Sequence, residues 1–366
     1  MSILGFGCMR LPVKNDNKID YDEFERMVDV YLKAGGSYFD TAFGYHKQQS
    51  EVALGEVLVR NYPRDMYNIA TKLPAWKHTV TNEEQAKNMF YTSLDRLKTD
   101  YIDYYLFQNM GEERSICFEK YKLWDFVNDL KKQGLIRKFG VSVHDGPEHI
   151  ESLLKEHPEI EFIQLQINYA DYYSISVKAK ECYEMAQKYN KPVIVMEPLK
   201  GGTLVHPPEI VQRILGENDT KQNVEKAFRF VNQLEGVQII LSGMSSLQQI
   251  KDNIDIFDRI KNVEEDISYM HKASKAFLQI QQIACTSCNY CLDGCQKKVK
   301  ISKIMTAMNF EKIYHNRHMA EHYYYSNVFL EGKASECIRC GICEKVCPQG
   351  LKIREYLKEA EEYFGE

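Results

Sequence analysis

The chain has 366 residues, 44% of them apolar and 27% charged, with a formal net charge of −5. That length exceeds one ordinary domain, although a single α/β barrel occupies roughly 250 residues, so a barrel with a smaller appendage is the first expectation. The charge balance gives no basis for a nucleic-acid or anionic-membrane partner, and no apolar run approaches the roughly 20 residues of a membrane helix; with no basic leader and apolar core in residues 1–12, the expected location is the cytoplasm.

From the start to about residue 260, short β-type runs alternate with amphipathic stretches. Strands are expected at 5–9, 37–41, 67–72, 102–108, 139–143, 162–168, 193–197 and 237–242. Most are nearly continuous apolar or β-branched runs, the pattern of parallel strands buried on both faces. Between the first two, residues 22–34 place Phe24, Met27, Val28, Tyr31 and Leu32 on one helical stripe. Residues 82–98 repeat the device with Phe90, Leu94 and Leu97. Eight strands alternating with helices predict a (β/α)8 TIM barrel over residues 1–262, with an open doubly wound sheet as the competitor on periodicity alone. Residues 263–283 read as one long helix, opening a second domain over 263–366 with no Gly/Ser-rich linker before it.

Cysteine is the unusual entry in the composition: there are eleven, eight of them between Cys285 and Cys347. Cys8, Cys117 and Cys182 are scattered and read as small buried hydrophobes. In a long chain without secretory signals, clustered cysteines point to metal before disulfides. The first group is Cys285-x2-Cys288-x2-Cys291-x3-Cys295, and the second is Cys337-x2-Cys340-x2-Cys343-x3-Cys347, followed by Pro348. This is the spacing of bacterial two-cluster ferredoxins, in which the fourth cysteine of each run ligates the other cluster. Cys285, Cys288, Cys291 and Cys347 are therefore assigned to one 4Fe–4S cluster, and Cys337, Cys340, Cys343 and Cys295 to its partner. A zinc site is the alternative, but it uses four ligands where this pattern supplies eight. Gln296 stands where the ferredoxin pattern has proline after the first run. The 41 residues between Cys295 and Cys337 read as helical, so a small, mainly helical ferredoxin-like domain is expected. Within them His315, His318 and His322 can share a face, and read more simply as a polar and aromatic surface.

Four segments of the barrel carry further signal: residues 5–12 (GFGCMRLP), 39–45 (FDTAFGY), 70–73 (ATKL) and 195–202 (VMEPLKGG). With residues 241–246 (LSGMSS), their order and spacing resemble the aldo-keto reductase family, and the cysteine runs resemble its branch with a C-terminal two-cluster domain. The resemblance spans nearly the whole chain. It implies an NAD(P)H-dependent carbonyl oxidoreductase in which Tyr45 is the proton donor, Lys72 lowers its pKa and Asp40 fixes Lys72. Barrel enzymes place such groups at the C-terminal ends of their strands, and a carbonyl oxygen that accepts hydride needs a proton. It also implies that Ser142, Gln164 and Asn168 hold the nicotinamide carboxamide and that Met196 stacks on the ring. Leu199, Gly201 and Gly202 would then line the pyrophosphate, and Ser242, Gly243, Ser246, Gln249, Asp252 and Asn253 the adenosine end. The cofactors implied are NADPH or NADH and two 4Fe–4S clusters. The partners implied are a small carbonyl substrate and a redox protein.

Three positions depart from the family pattern. Gln108 stands where a histidine is usual; its amide can donate a hydrogen bond but cannot relay a proton. Gly243 and Gln249 replace the cations that hold a 2′-phosphate, which leaves NADH as acceptable as NADPH. The family usually opens with a hairpin under the barrel, whereas the first strand is expected here at residues 5–9, so another part of the chain or another subunit is expected to cover the floor. Two readings follow: a reductase joined to an electron-transfer module, or a nucleotide-binding redox carrier or sensor whose barrel has lost turnover. Gln108 favours the second; Asp40, Tyr45 and Lys72 favour the first.

Overall fold

In the computed structural model every residue is described except 1–2, 17, 77–78, 176, 217, 262–265, 281, 284, 286–289, 329–330, 348 and 366. The eight apolar runs all form strands: β1 (Leu4–Gly7), β2 (Tyr38–Asp40), β3 (Asn68–Leu73), β4 (Ile102–Met110), β5 (Ile136–Val143), β6 (Phe162–Gln166), β7 (Val193–Met196) and β8 (Val237–Gly243). Neighbours pair in parallel and in sequence order, and β8 returns to β1 with Leu4 opposite Ile240 and Gly7 opposite Gly243. That last pairing closes the ring and excludes the open sheet. A helix follows each strand: α1 (Tyr21–Lys33), α2 (Ser50–Leu54), α3 (Glu83–Leu97), α4 (Leu123–Lys132), α5 (Pro147–Glu156), α6 (Ala179–Lys188), α7 (Thr220–Asn232) and α8 (Leu247–Ile260). The stripe of α1 is buried as its spacing predicts. Side-chain caps fix several starts, with Asp20, Asn82, Asp219 and Ser246 each accepting the backbone N–H three residues on.

The inside of the barrel is built in layers of four from alternate strands. Tyr38, Tyr104, Phe162 and Ile239, from the even strands, pack together near the strands' N-terminal ends. The rings of Tyr38 and Tyr104, and of Tyr104 and Phe162, meet edge to face at 4.9 and 5.3 Å. Above them the odd strands supply small residues at Gly5, Ala70 and Gly140, together with Ile194. A Cβ on Gly140 would stand 2.6 Å from the Phe162 carbonyl oxygen and ring, and one on Gly5 would stand 2.7 Å from Ile239 and Leu241. Large side chains below thus need glycine above, and the lower barrel is filled by its own residues. The two-residue period of a strand then puts Asp40, Leu106, Gln164 and Leu241 in the next layer, and Gly7, Lys72, Ser142 and Met196 above that. Polar groups enter only at the C-terminal end.

The chain forms two compact units. The first is Met1–Tyr172, Val177–Lys200 and Asp219–Ile267; the second is Tyr173–Ser176, Gly201–Asn218 and Ser268–Glu366. The second contains α9 (Ser268–Phe277), α10 (Ile301–Tyr314), α11 (Arg317–Asn327) and α12 (Ile353–Phe364). Its core gathers Ile304, Met305 and Met308 from α10, Tyr324 from α11, and Leu357 and Phe364 from α12. The Tyr324 and Phe364 rings stack at 3.9 Å. The single helix expected over 263–283 is corrected: it runs only from Ser268 to Phe277, although 263–265 and 281 lie outside the described residues. Its end loosens into turn bonds from Leu278 to Lys275 and from Gln279 to Ala276. Beyond it Ile283 is drawn away because the Asn309 amide takes both its backbone groups, at 2.8 and 2.9 Å.

The layer packing predicts that Gly140→Ala destabilises the barrel by about 2 kcal/mol through overpacking. Urea unfolding of the variant checks this, and a change below about 0.5 kcal/mol would contradict the close approach to Phe162.

Candidate active site and cysteine pocket

Asp40 ends β2 and Lys72 lies one residue from the end of β3, so both reach the mouth of the barrel from adjacent strands. The Lys72 Nζ donates to Asp40 Oδ1 at 2.5 Å and to the Thr41 carbonyl at 2.7 Å. Asp40 Oδ2 accepts from Gln164 Nε2 at 3.0 Å. The two charged side chains are only 1% and 5% exposed, and burying a pair this deeply costs several kcal/mol per ion unless the remaining hydrogen bonds are made. Here they are made. Tyr45 lies in the turn after β2, with Lys72 Nζ 5.1 Å from its ring centroid. Burial works to lower the Lys72 pKa, but Asp40 and Tyr45 outweigh it and hold the ammonium above its usual range. For Tyr45 the balance runs the other way from the expectation of a lowered pKa. Desolvation of the phenolate dominates the pull of Lys72, so the phenol is raised and stays protonated at neutral pH.

Gln108 follows Leu106 on β4 at the point where the register with β5 shifts. Its backbone carbonyl accepts from Trp76 Nε1 at 2.9 Å, while its buried side-chain Oε1 has no hydrogen-bond partner among the described residues. Ser142 Oγ accepts from the Asn109 N–H at 2.8 Å. Asn168 spends both amide protons inside the protein, on Asp171 Oδ2 and the Glu197 carbonyl, and accepts from the Asp171 N–H. Met196 ends β7, half-buried, with Leu199 three residues on. Gly201 and Gly202 belong to the second unit and have left-handed φ values of 67° and 97°. At the end of β8, Ser242 Oγ accepts from Asn253 Nδ2 at 3.0 Å. Ser246 caps α8, Gln249 Oε1 accepts from the Ser245 N–H at 2.7 Å, and Asp252 pairs with Lys221 at 2.9 Å. Gly243 lies under the Arg10 side chain, whose Nη1 would be 3.8 Å from a Cβ there.

Sequence reasoning missed two supports. The first is Asp171, which accepts from Lys200 Nζ at 2.5 Å as well as from Gln166 and Asn168. The second is the seat of the Tyr45 turn. His46, Lys47 and Gln48 all have positive φ, at 49°, 53° and 72°, a conformation that costs energy for residues other than glycine. Arg96 on α3 reaches Phe43 O, Gln48 Oε1 and the fully buried Glu51, at 3.4, 2.5 and 3.2 Å. Thr71 adds a hydrogen bond to Glu51 at 2.6 Å. On the other side, His46 Nε2 accepts the Leu11 N–H at 2.9 Å. Neither clamp has a local signature, since its members are distant in sequence.

In the second unit Cys295, Cys337, Cys340 and Cys343 line one apolar cavity floored by Val299, Ile301 and Leu357. The Val299 N–H points at Cys295 Sγ and the Arg339 N–H at Cys337 Sγ, each at 3.4 Å. Gly294 is needed for this approach, because a Cβ there would stand 2.8 Å from Ile342 on the other cysteine run. Of the other four, Cys291 is buried and Cys285 and Cys347 are half-buried; Cys288 lies outside the described residues. The described cysteines are all free thiols. Among the described residues, no three His, Cys, Asp or Glu side chains converge as ligands of a single ion, the three histidines included.

A model of the aldo/keto reductase family matches residues 3–275. The chain belongs to that family. A 4Fe–4S dicluster domain model matches residues 284–352, so this aldo-keto reductase carries an iron–sulfur domain after its barrel. An aldo-keto reductase of Mycolicibacterium smegmatis is 26% identical over 236 residues, 64% of this chain and 77% of the relative. An uncharacterized oxidoreductase of Bacillus subtilis, YqkF, is 22% identical over 305 residues, 75% of this chain and 93% of its own. Among solved structures, the holo form of an aldo-keto reductase from Bacillus halodurans superposes with a TM-score of 0.61 at 23% identity, covering 75% of this chain and 91% of that one. One from Klebsiella pneumoniae, solved in complex with NADPH, gives 0.55 at 18% identity, covering 75% and 90%. These likenesses establish the fold. No helix among the described residues is long and apolar enough to cross a membrane.

The clamps on the reductase's Tyr45 turn make a two-part prediction. Burial lowers the His46 pKa below 6.5. As pH falls through that value the opened turn takes up a proton before the closed one does, so opening is favoured in acid. Hydrogen exchange in residues 43–49 should accelerate below about pH 6.5. Arg96→Ala should accelerate it at every pH and cost about 3 kcal/mol, because Glu51 loses its buried partner. Exchange in this segment that ignores both changes would contradict the clamps.

Proposed function

We propose that this oxidoreductase reduces a small carbonyl compound with a nicotinamide cofactor, Tyr45 giving up the proton, and that its C-terminal domain holds two 4Fe–4S clusters. The observation that carries the first part is the fully satisfied Lys72–Asp40 pair buried beside Tyr45 at the barrel mouth. The site fits a nicotinamide: polar groups of Ser142 and Gln164 and the half-buried Met196 share the upper layers, and the buried Gln108 Oε1 still lacks a partner. When bound, the cofactor supplies hydride to the carbonyl carbon.

The chain's own groups manage the proton and the charge. Charge growing on the carbonyl oxygen is met by the Tyr45 hydroxyl, whose proton moves to that oxygen. The Lys72 ammonium, held by Asp40 and Thr41, stabilises the phenolate left behind. Gln108 supplies an amide N–H in place of a histidine and orients the carbonyl without carrying a proton. With Gly243 and Gln249 at the nucleotide end, NADH serves as readily as NADPH. For the clusters, the supporting observation is the set of four thiols around one apolar cavity with N–H groups aimed at two of the sulfurs. A zinc site would use four ligands, where the two cysteine runs supply eight.

Anaerobic oxidation of NADH and NADPH with a panel of aldehydes and ketones tests this reading. Carbonyl-dependent turnover is expected, steady with pH until the phenol ionises above about 10. Tyr45→Phe should lower it by at least about 100-fold while leaving nucleotide affinity nearly unchanged. Gln108, standing where the family has a histidine and unable to relay a proton, favours one other reading, a nucleotide-binding redox carrier or sensor whose barrel has lost turnover. Tight nucleotide binding and intact clusters without turnover on any carbonyl would establish that reading instead.

A further inference from the structure

The four thiols around the cavity are not equally covered. Cys343 is buried, Cys295 and Cys337 are half-buried, and Cys340 is exposed. The cavity therefore opens on the Cys340 side, where Gln296, Lys297 and Ile338 form its rim. Ile338 is 52% exposed, an apolar side chain presented to solvent beside a candidate ligand. Lys297 and its neighbour Lys298 are exposed, and neither side chain makes an ion pair or hydrogen bond with a described residue. Lys298 sits in a left-handed turn, φ 51°, closed by its N–H on the Cys295 carbonyl at 3.0 Å. The next exposed cation, Arg339, has only a distant contact with Glu361 at 3.9 Å. Of the acids nearby, Glu344 is taken up by Arg354 at 2.7 Å, and Glu336 is exposed. On a chain whose formal charge is −5, Lys297, Lys298 and Arg339 make this rim locally positive.

We propose that this rim is the docking face for an acidic, one-electron carrier protein, and that electrons pass across it to or from the cluster held by Cys295, Cys337, Cys340 and Cys343. The proposal rests on that cluster assignment. Electron transfer weakens steeply with distance, so a cluster with one ligand at the surface is within reach of a partner. Redox encounters use small interfaces, and opposite charge steers them more than it holds them. A lone apolar contact flanked by unpaired cations has that form. Each encounter moves one electron: the cluster loses one as the carrier gains one, or the reverse, with no bond made and no proton required.

The probe is oxidised flavodoxin, an acidic carrier, mixed by stopped flow with the dithionite-reduced, cluster-loaded full chain. The expected rate constant is high at low ionic strength and falls at least tenfold as salt screens the charges. Lys297→Glu combined with Lys298→Glu should slow low-salt transfer at least tenfold and abolish the salt dependence, with the rate to a neutral quinone unchanged. Carbodiimide cross-linking gives a readout independent of transfer: linkages should join Lys297 or Lys298 to flavodoxin carboxylates. Transfer by the double variant at the parent rate, no transfer to flavodoxin, or cross-links that map elsewhere would each overturn the docking face. A low-temperature EPR spectrum of the reduced protein unaltered by Cys340→Ser would instead sink the cluster assignment beneath it.

Discussion

The upper barrel depends on keeping one ammonium group charged where water does not reach it. Lys72 is 1% exposed, and an unpaired lysine at that depth would shed its proton. Asp40 prevents this, Thr41 and Gln164 complete the hydrogen bonds of the pair, and three strands, β2, β3 and β6, must hold their places for the four groups to meet. The register is held from below. Aromatic side chains from even strands lock into the glycines of odd ones, so a slip of β5 against β6 would drive Phe162 into occupied space. Packing in the floor and electrostatics at the mouth are one construction. Above the floor the turn that carries Tyr45 holds three consecutive left-handed residues, His46, Lys47 and Gln48.

The second unit solves a different problem with similar means. Thiols that are to share an inorganic core have to face inward without closing on one another as disulfides. The described cysteines remain free, and two of the four around the cavity already face backbone N–H donors. Such donors are among the features that tune cluster potentials. The apolar floor from α10 and α12 ties the pocket to the unit's main core, because Ile301 and Leu357 belong to both.

Much of this was legible from residue order, for identifiable reasons. Strands buried on both faces announce themselves as short apolar runs, and all eight were found within a few residues. Closure was expected from eight alternating strands and the family resemblance, but periodicity alone left the open sheet as competitor, because nothing local in Leu4–Gly7 says that it will meet Ile240–Gly243. The motif residues Asp40, Lys72 and Gln164 do come together. What the sequence hid is what holds them. Arg96 and Glu51 are 45 residues apart and look like ordinary surface helix residues. Asn168 was read as reaching for a ligand, yet its amide is occupied by Asp171 and Glu197. Lys72 does pull the Tyr45 phenol down, as the motif implies, but burial, which residue order does not display, outweighs that pull. The overlong helix at 263–283 failed for the same reason: Asn309, a single side chain 26 residues beyond Ile283, overrides local helical preference.

That asparagine has a bearing on how iron meets the protein. Ile283 lies two residues before Cys285, and Asn309 grips it by both backbone groups. Recruiting a free strand of chain across a 26-residue loop would cost roughly 3 kcal/mol of chain entropy. Here the loop is closed by groups of the protein itself, the Asn309 amide and the Ile283 backbone, none of them a cluster ligand. The first thiol of the run thus stands two residues from an anchored point, and less of its positioning falls to bonds with iron.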